Sequence, residues 1–259
     1  MRQLKVWLLY TSNSFAQTLA NRFMTGIFIL SKILRIALFL LFLIFVFQGT
    51  QSLAGFTRDQ IIFFYLSFNL IDTLASLFFR EVYRFRQTVI RGDLDLILIQ
   101  PVHPLIRVLL GGADVLDAFI FFIILGFTVW FGTVHFSLSP FRWLAYFSLI
   151  LGSLLIAAAF HIAVLCLGIL TTSVDHLIMI YRDLTSLMRI PADVYSQPFR
   201  SVLTFVIPLA VMYTFPPKAL LGLLSPAVIS VSVLAGFILL LLSLRFWNYS
   251  LRHYQSASS

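Results

Sequence analysis

Residues 27–47 read IFILSKILRIALFLLFLIFVF, a run whose only charges are Lys32 and Arg35. A hydrocarbon core about 30 Å thick is crossed by roughly 20 apolar residues of α-helix. The stretch therefore reads as a membrane span. Its anomaly is the pair of cations, three positions apart and so on one helical face.

Five more apolar runs follow, at about 60–79, 108–134, 143–170, 201–215 and 227–247. On this six-span reading 15 of the 18 Lys and Arg residues fall on one side. Translocating basic loops is unfavourable, so that side is expected to be cytoplasmic, with both termini there and the chain in the inner (plasma) membrane. A hydrophobic fraction of 60% against 11% charged residues exceeds what one soluble core could hide. The net charge of +8 sits at span ends rather than on one patch, which points to lipid headgroups and away from nucleic acid. Cys166 is the single cysteine, so an intrachain disulfide is excluded. The expected fold is all-α, one polytopic transmembrane domain over residues 1–259.

Three segments flank the spans. Residues 2–22 place Trp7, Leu8, Phe15 and Leu19 at helical spacing among polar residues, predicting an interfacial amphipathic helix. Residues 80–107 form a long basic inner loop whose apolar run Leu94–Ile99 is closed by Pro101 and Pro104, predicting a cytoplasmic helix with a proline stop. The fifth run is short, holds Pro208 and ends at Pro216-Pro217. A re-entrant outer hairpin before the last span is expected there, with residues 171–200 as a second inner segment.

Catalytic signatures are missing. The chain has no phosphate-binding loop, no zinc-binding H-E-x-x-H and no G-x-S-x-G elbow. Its five histidines lack ligand spacing, so neither a metal nor a cofactor is expected in this chain. His161 reads as a packed, hydrogen-bonded helix residue. Lys32 and Arg35 either snorkel to the inner headgroups or face a polar pathway. Asp72 lies mid-span, where a carboxylate is either functional or paired with a cation such as Arg35. Asp114 and Asp117 are expected to cap a helix or to pair with Arg107 or Arg91. Gly152, Ser153, Ala157, Ala158, Ala159 and Gly168 predict close packing of the fourth span on a neighbour.

Two stretches carry a resemblance. Arg91-Gly92-Asp93-Leu94-Asp95-Leu96-Ile97-Leu98-Ile99-Gln100-Pro101-Val102-His103-Pro104 resembles the inner loop of ABC-2-type transporter permeases. Arg189-Ile190-Pro191, Tyr195, Phe205-Val206-Ile207-Pro208 and Phe215-Pro216-Pro217-Lys218-Ala219-Leu220-Leu221-Gly222 are similar to the ending of that family, with Pro217 where a small residue is more usual. The resemblance implies a permease half of an exporter, not itself an enzyme. It would pair with a second permease copy and with separate ATP-binding cassette subunits that hold ATP and Mg. Arg91 to Pro104 would then couple to the ATPase. Two rivals stand beside it: an ion-coupled transporter using Asp72, and an intramembrane lipid-modifying enzyme using Asp72, Asp114 and Asp117.

Overall fold

The computed structural model describes residues 2–20, 22–136, 139–171 and 174–254, and among these the chain is helical, with no strand. Ser137, expected in an outer loop, lies outside the described residues, as do the side chains of Leu19, Asp175 and His176. An N-terminal helix α1 (Arg2–Ala20) leads to α2 (Arg22–Gly49) and α3 (Arg58–Phe79). Three short helices follow: α4 (Phe85–Ile90), α5 (Asp93–Leu98) and α6 (Pro104–Leu110). Next come α7 (Val115–His135), α8 (Pro140–Thr171) and α9 (Val174–Ser186). A broken segment holds α10 (Phe199–Ser201), α11 (Leu209–Tyr213) and α12 (Phe215–Leu220), and α13 (Pro226–Arg252) closes the chain.

Five stretches are long and apolar enough to cross a membrane: Arg22–Gly49, Arg58–Val89, Leu116–His135, Pro140–Thr171 and Pro226–Arg252. The helix starts have local causes. At α3, the Thr57 backbone N–H donates to Gln60 Oε1 at 2.9 Å, one half of a capping box. At α7, the Asp114 carboxylate accepts from the N–H groups of Leu116 and Asp117 at 2.8 and 3.2 Å. That cap corrects the expected third span, 108–134. Leu105, Val108 and Leu109 are buried in the separate helix α6, and the chain turns at Gly111 before α7 begins.

The expected fifth span, 201–215, is also corrected, because it is not one rod. It consists of α10, a π-helical turn at Val202–Val206, a break at Ile207-Pro208, then α11 and the start of α12. Proline has no N–H to donate, which suits it to breaks and first turns. Pro216 and Pro217 accordingly sit in the first turn of α12, where the N–H groups lack helical partners in any case. They start a helix instead of breaking one.

Contacts order the segment from α9 onward between two ends of the bundle. The upper end carries the 50–57 loop, and the lower end carries α4–α6. Tyr181 packs its ring 4.9 Å from that of His161, in the lower part of α8. Arg182 lies 6.0 Å from the Tyr83 ring, and Arg189 lies 5.8 Å from Phe39, midway along α2. The Ala192 N–H donates to Thr214 Oγ1 at 3.1 Å. Asp193 pairs with Lys218 at 2.7 Å, and Lys218 sits 6.0 Å from Phe56 at the upper end. Arg200, 3.6 Å from Asp193, shares that end. The expectation of one inner segment over 171–200 is therefore overturned, since Arg200 and Lys218 lie together.

The remainder, α10–α12, folds back down between the upper loops. Ser153 Oγ lies 2.6 Å from the Met212 carbonyl. At 1.5 Å per residue Ser153 is roughly 20 Å along α8 from Pro140. α8 also packs closely on α13, as its small residues predict. A Cβ on Gly236 would sit 2.9 Å from the Gly152 carbonyl oxygen. His161 is buried, with Nδ1 2.8 Å from the Ala157 carbonyl. The bundle is uneven, with α3 72% buried over its apolar window and α2 only 6%.

Two outcomes follow. In a Cys166→Ala background, Gln51→Cys and Gln197→Cys should react with an impermeant maleimide from one side of the membrane and Gln100→Cys from the other. Gly236→Val should destabilise the purified protein by about 1–3 kcal/mol through overpacking. Gly126→Ala, with nothing within 4 Å of the new Cβ, should leave the unfolding midpoint essentially unchanged.

Candidate functional site

A cleft of about 990 Å³ opens between α2, α3, α7 and α9. Its polar lining is supplied by residues that interrupt otherwise apolar helices. These are Lys32 and Arg35 from α2, Asp72 from α3 and Asp117 from α7. Arg80 joins them from the turn after α3, and Arg182 and Arg189 come from α9 and the turn after it.

Two of the cations are internally neutralised. Lys32 Nζ forms an ion pair with Asp117, whose side chain is 1% exposed. Arg80 bridges Asp114 at 2.7 Å and Asp117 at 3.4 Å, and its guanidinium lies 4.9 Å from the Phe28 ring. Lys32 thus does not snorkel, because a buried carboxylate within reach holds it more favourably than distant headgroups would. Asp114 caps α7 as expected, yet neither aspartate takes the expected partner. Arg107 reaches Glu81 at 4.0 Å and stacks 4.2 Å from Tyr10 of α1, while Arg91 is exposed. Asp72 and Arg35 line the same cleft, but among the described residues neither has an ion-pair partner within 4 Å.

The second group of sequence-predicted residues lies at the lower end. Gly92 caps α5 with φ of +73°, a left-handed backbone that a Cβ disfavours. Arg91, Asp93 and Pro101 are exposed, Asp95 is half-buried, and Pro104 opens α6. Leu94 is 0% exposed and anchors α5 to the bundle. Leu96 and Ile99 point away, 59% and 79% exposed. The loop is thus several short helices laid across the bundle end, not one amphipathic helix.

The third group is the upper hairpin. Pro208 precedes α11, Pro216 and Pro217 are buried, and Gly222 turns with φ of +75° against Arg142. A side chain at Gly222 would meet the Arg142 guanidinium at 2.9 Å.

Arg80, Arg182 and Arg189 were not singled out as site residues from sequence. The signal for Arg182 and Arg189 was the strong amphipathicity of 174–189, which hydropathy alone reads as a surface segment. Among the described residues no group of three or more His, Cys, Asp or Glu side chains could hold a metal ion. Replacing Lys32 with Met leaves Asp117 with Arg80 alone, so we expect a loss of about 3 kcal/mol in detergent unfolding. Lys32→Met combined with Asp117→Leu should recover most of it.

The sequence model of the ABC-2 family transporter proteins matches residues 33–258. No curated protein and no solved structure matches the chain. The match takes in five of the six apolar helical or broken segments entirely and most of α2, together with the α4–α6 ledge, the hairpin and the cleft apart from Phe28, Ser31 and Lys32. This multi-span membrane chain belongs to the ABC-2 family of transporter permeases.

Proposed function

We propose that the chain is the membrane-spanning permease subunit of an ATP-driven exporter. It pairs with a second permease subunit and with separate cassette ATPases, which carry the ATP and Mg. The observation that carries this reading is the ledge α4–α6. Leu94 pins it to the bundle, while Leu96 and Ile99 stand exposed between Arg91 and Pro101. Apolar residues exposed on a rigid, charged rim are the anatomy of a docking surface for a soluble partner. The lower end is then cytoplasmic, with α1 lying along the inner leaflet.

In this reading the chain crosses the membrane six times. α2, α3, α7, α8 and α13 make five of the crossings. The sixth runs from α9 to about Val194, an ascent supported by the contacts from His161 up to Lys218. The hairpin α10–α12 is re-entrant from the outer face. Its mid-depth backbone is tolerated because protein groups such as Ser153 satisfy it. Closure of the ATPases would tilt the ledge and move α2 and α9 relative to α3, opening the cleft to one side and then the other.

The test separates docking from folding. Leu96→Asp and Ile99→Asp should leave membrane insertion and the unfolding midpoint intact. They should reduce copurification of the ATPase and its transport-linked hydrolysis by about tenfold, as expected for lost apolar anchors. Leu94→Asp, in contrast, should fail to fold. Undiminished ATPase capture by both surface variants would defeat the docking assignment.

A further inference from the structure

We infer that the α2–α3–α9 cleft receives an amphiphile with a phosphate-type oxyanionic head. As a statement about exported cargo this rests on the permease reading above; as a binding site it stands on the cleft itself. Lys32 and Arg80 are matched by Asp117 and Asp114, so that network is closed. What remains around the cavity is Arg35, Arg182 and Arg189 against the single carboxylate of Asp72. Among the described residues none of the three arginines has a carboxylate within ion-pair distance; Arg182 and Arg189 have only the Tyr83 and Phe39 rings, at 6.0 and 5.8 Å. A guanidinium at membrane depth is unfavourable unless an anion or water compensates it. Planar guanidinium groups bind phosphate and carboxylate oxygens bidentately.

The cleft is also graded along its length. Arg35 and Phe42 lie on the same lining of α2, about 10 Å apart at 1.5 Å per residue. Beyond Arg35 and Arg182 the walls are Leu38, Phe39 and Phe42 facing Tyr65 and Phe68, with the Arg189 guanidinium 5.8 Å from the Phe39 ring. Phe39 stacks on Tyr65 at 4.5 Å, and Tyr65 lies 6.4 Å from Phe68. A stretch lined by Arg35 and Arg182 that runs into mainly aromatic walls, with Arg189 at the junction, matches a head and a tail. The volume of about 990 Å³ far exceeds a free inorganic anion. Leu34 and Leu38, 53% and 56% exposed on α2, leave that side open toward acyl chains.

The experiment uses the full chain in phosphatidylcholine nanodiscs, with dodecyl phosphate as the probe. Saturable binding is expected, weakened about tenfold or more in Arg182→Gln and in Arg35→Gln, each the loss of a charge-assisted contact. Unfolding midpoints of both variants should stay near the parent value, and Gly126→Ala should bind normally. Inorganic phosphate should bind at least about tenfold more weakly, because it lacks the tail. Equal affinity for dodecyltrimethylammonium, or arginine variants that bind as the parent does, overturns the proposal. Inorganic phosphate binding as tightly as the probe overturns the amphiphile. Full displacement by phosphatidylglycerol added to the disc would make the occupant a resident lipid and overturn the cargo. Failure here with ATPase capture intact leaves the permease reading standing; the reverse pattern would sink that reading alone.

Discussion

Asp117 ties three elements together. Its carboxylate, at the first turn of α7, is gripped by Lys32 from α2 and by Arg80 from the end of α3. A charge so fully withdrawn from solvent has to be compensated, and here the compensation is also a joint. α2 is otherwise almost bare, and along its length only Leu43 is fully buried. The ion pair near one end and the Phe39–Tyr65 stack above it therefore hold α2 beside α3 while leaving a gap between them. Without this clasp the cleft would have no fourth wall.

Much of the architecture was legible because lipid permits few solutions. Every backbone polar group must be satisfied internally, so a long apolar run is a helix almost by necessity. This served well for α2, α3, α8 and α13. It failed where apolarity had another cause. Leu105, Val108 and Leu109 are apolar because the short helix α6 packs on the bundle, and only the Asp114 cap marks the true start of α7. The most consequential error has the same origin. Residues 201–215 are apolar yet broken, whereas α9 is polar on one side because it faces the cleft. Hydropathy rewards the first and penalises the second.

The candidate site was half visible for a related reason. Lys32, Arg35 and Asp72 stand out as charges inside apolar runs, and the cleft gathers all three. Arg182 and Arg189 are hidden in a segment that reads as an inner loop, and Arg80 among the other basic residues of the 80–107 loop. The inner loop was recognisable by its glycine and prolines. Which of its leucines anchors and which projects depended on the turn at Gly92, whose left-handed backbone sets the facing of Leu94 against Leu96 and Ile99.

The descent of the hairpin to Ser153 carries an electrical consequence. Below it lies the arginine-lined cleft, above it a smaller chamber of about 210 Å³ bounded by Asp193, Arg200 and Lys218. Phe68, which lines the cleft, packs on Tyr213 with ring centroids 5.0 Å apart, and the next residue, Thr214, lines the upper chamber. If water fills both chambers, the transmembrane voltage falls mainly across the protein between them, this ring pair included, instead of across the full bilayer. Each elementary charge carried from one chamber to the other would then exchange up to about 2.3 kcal/mol per 100 mV with the field. For an ionic passenger the electrical work would then fall on the step between the chambers, and not be spread along the whole span.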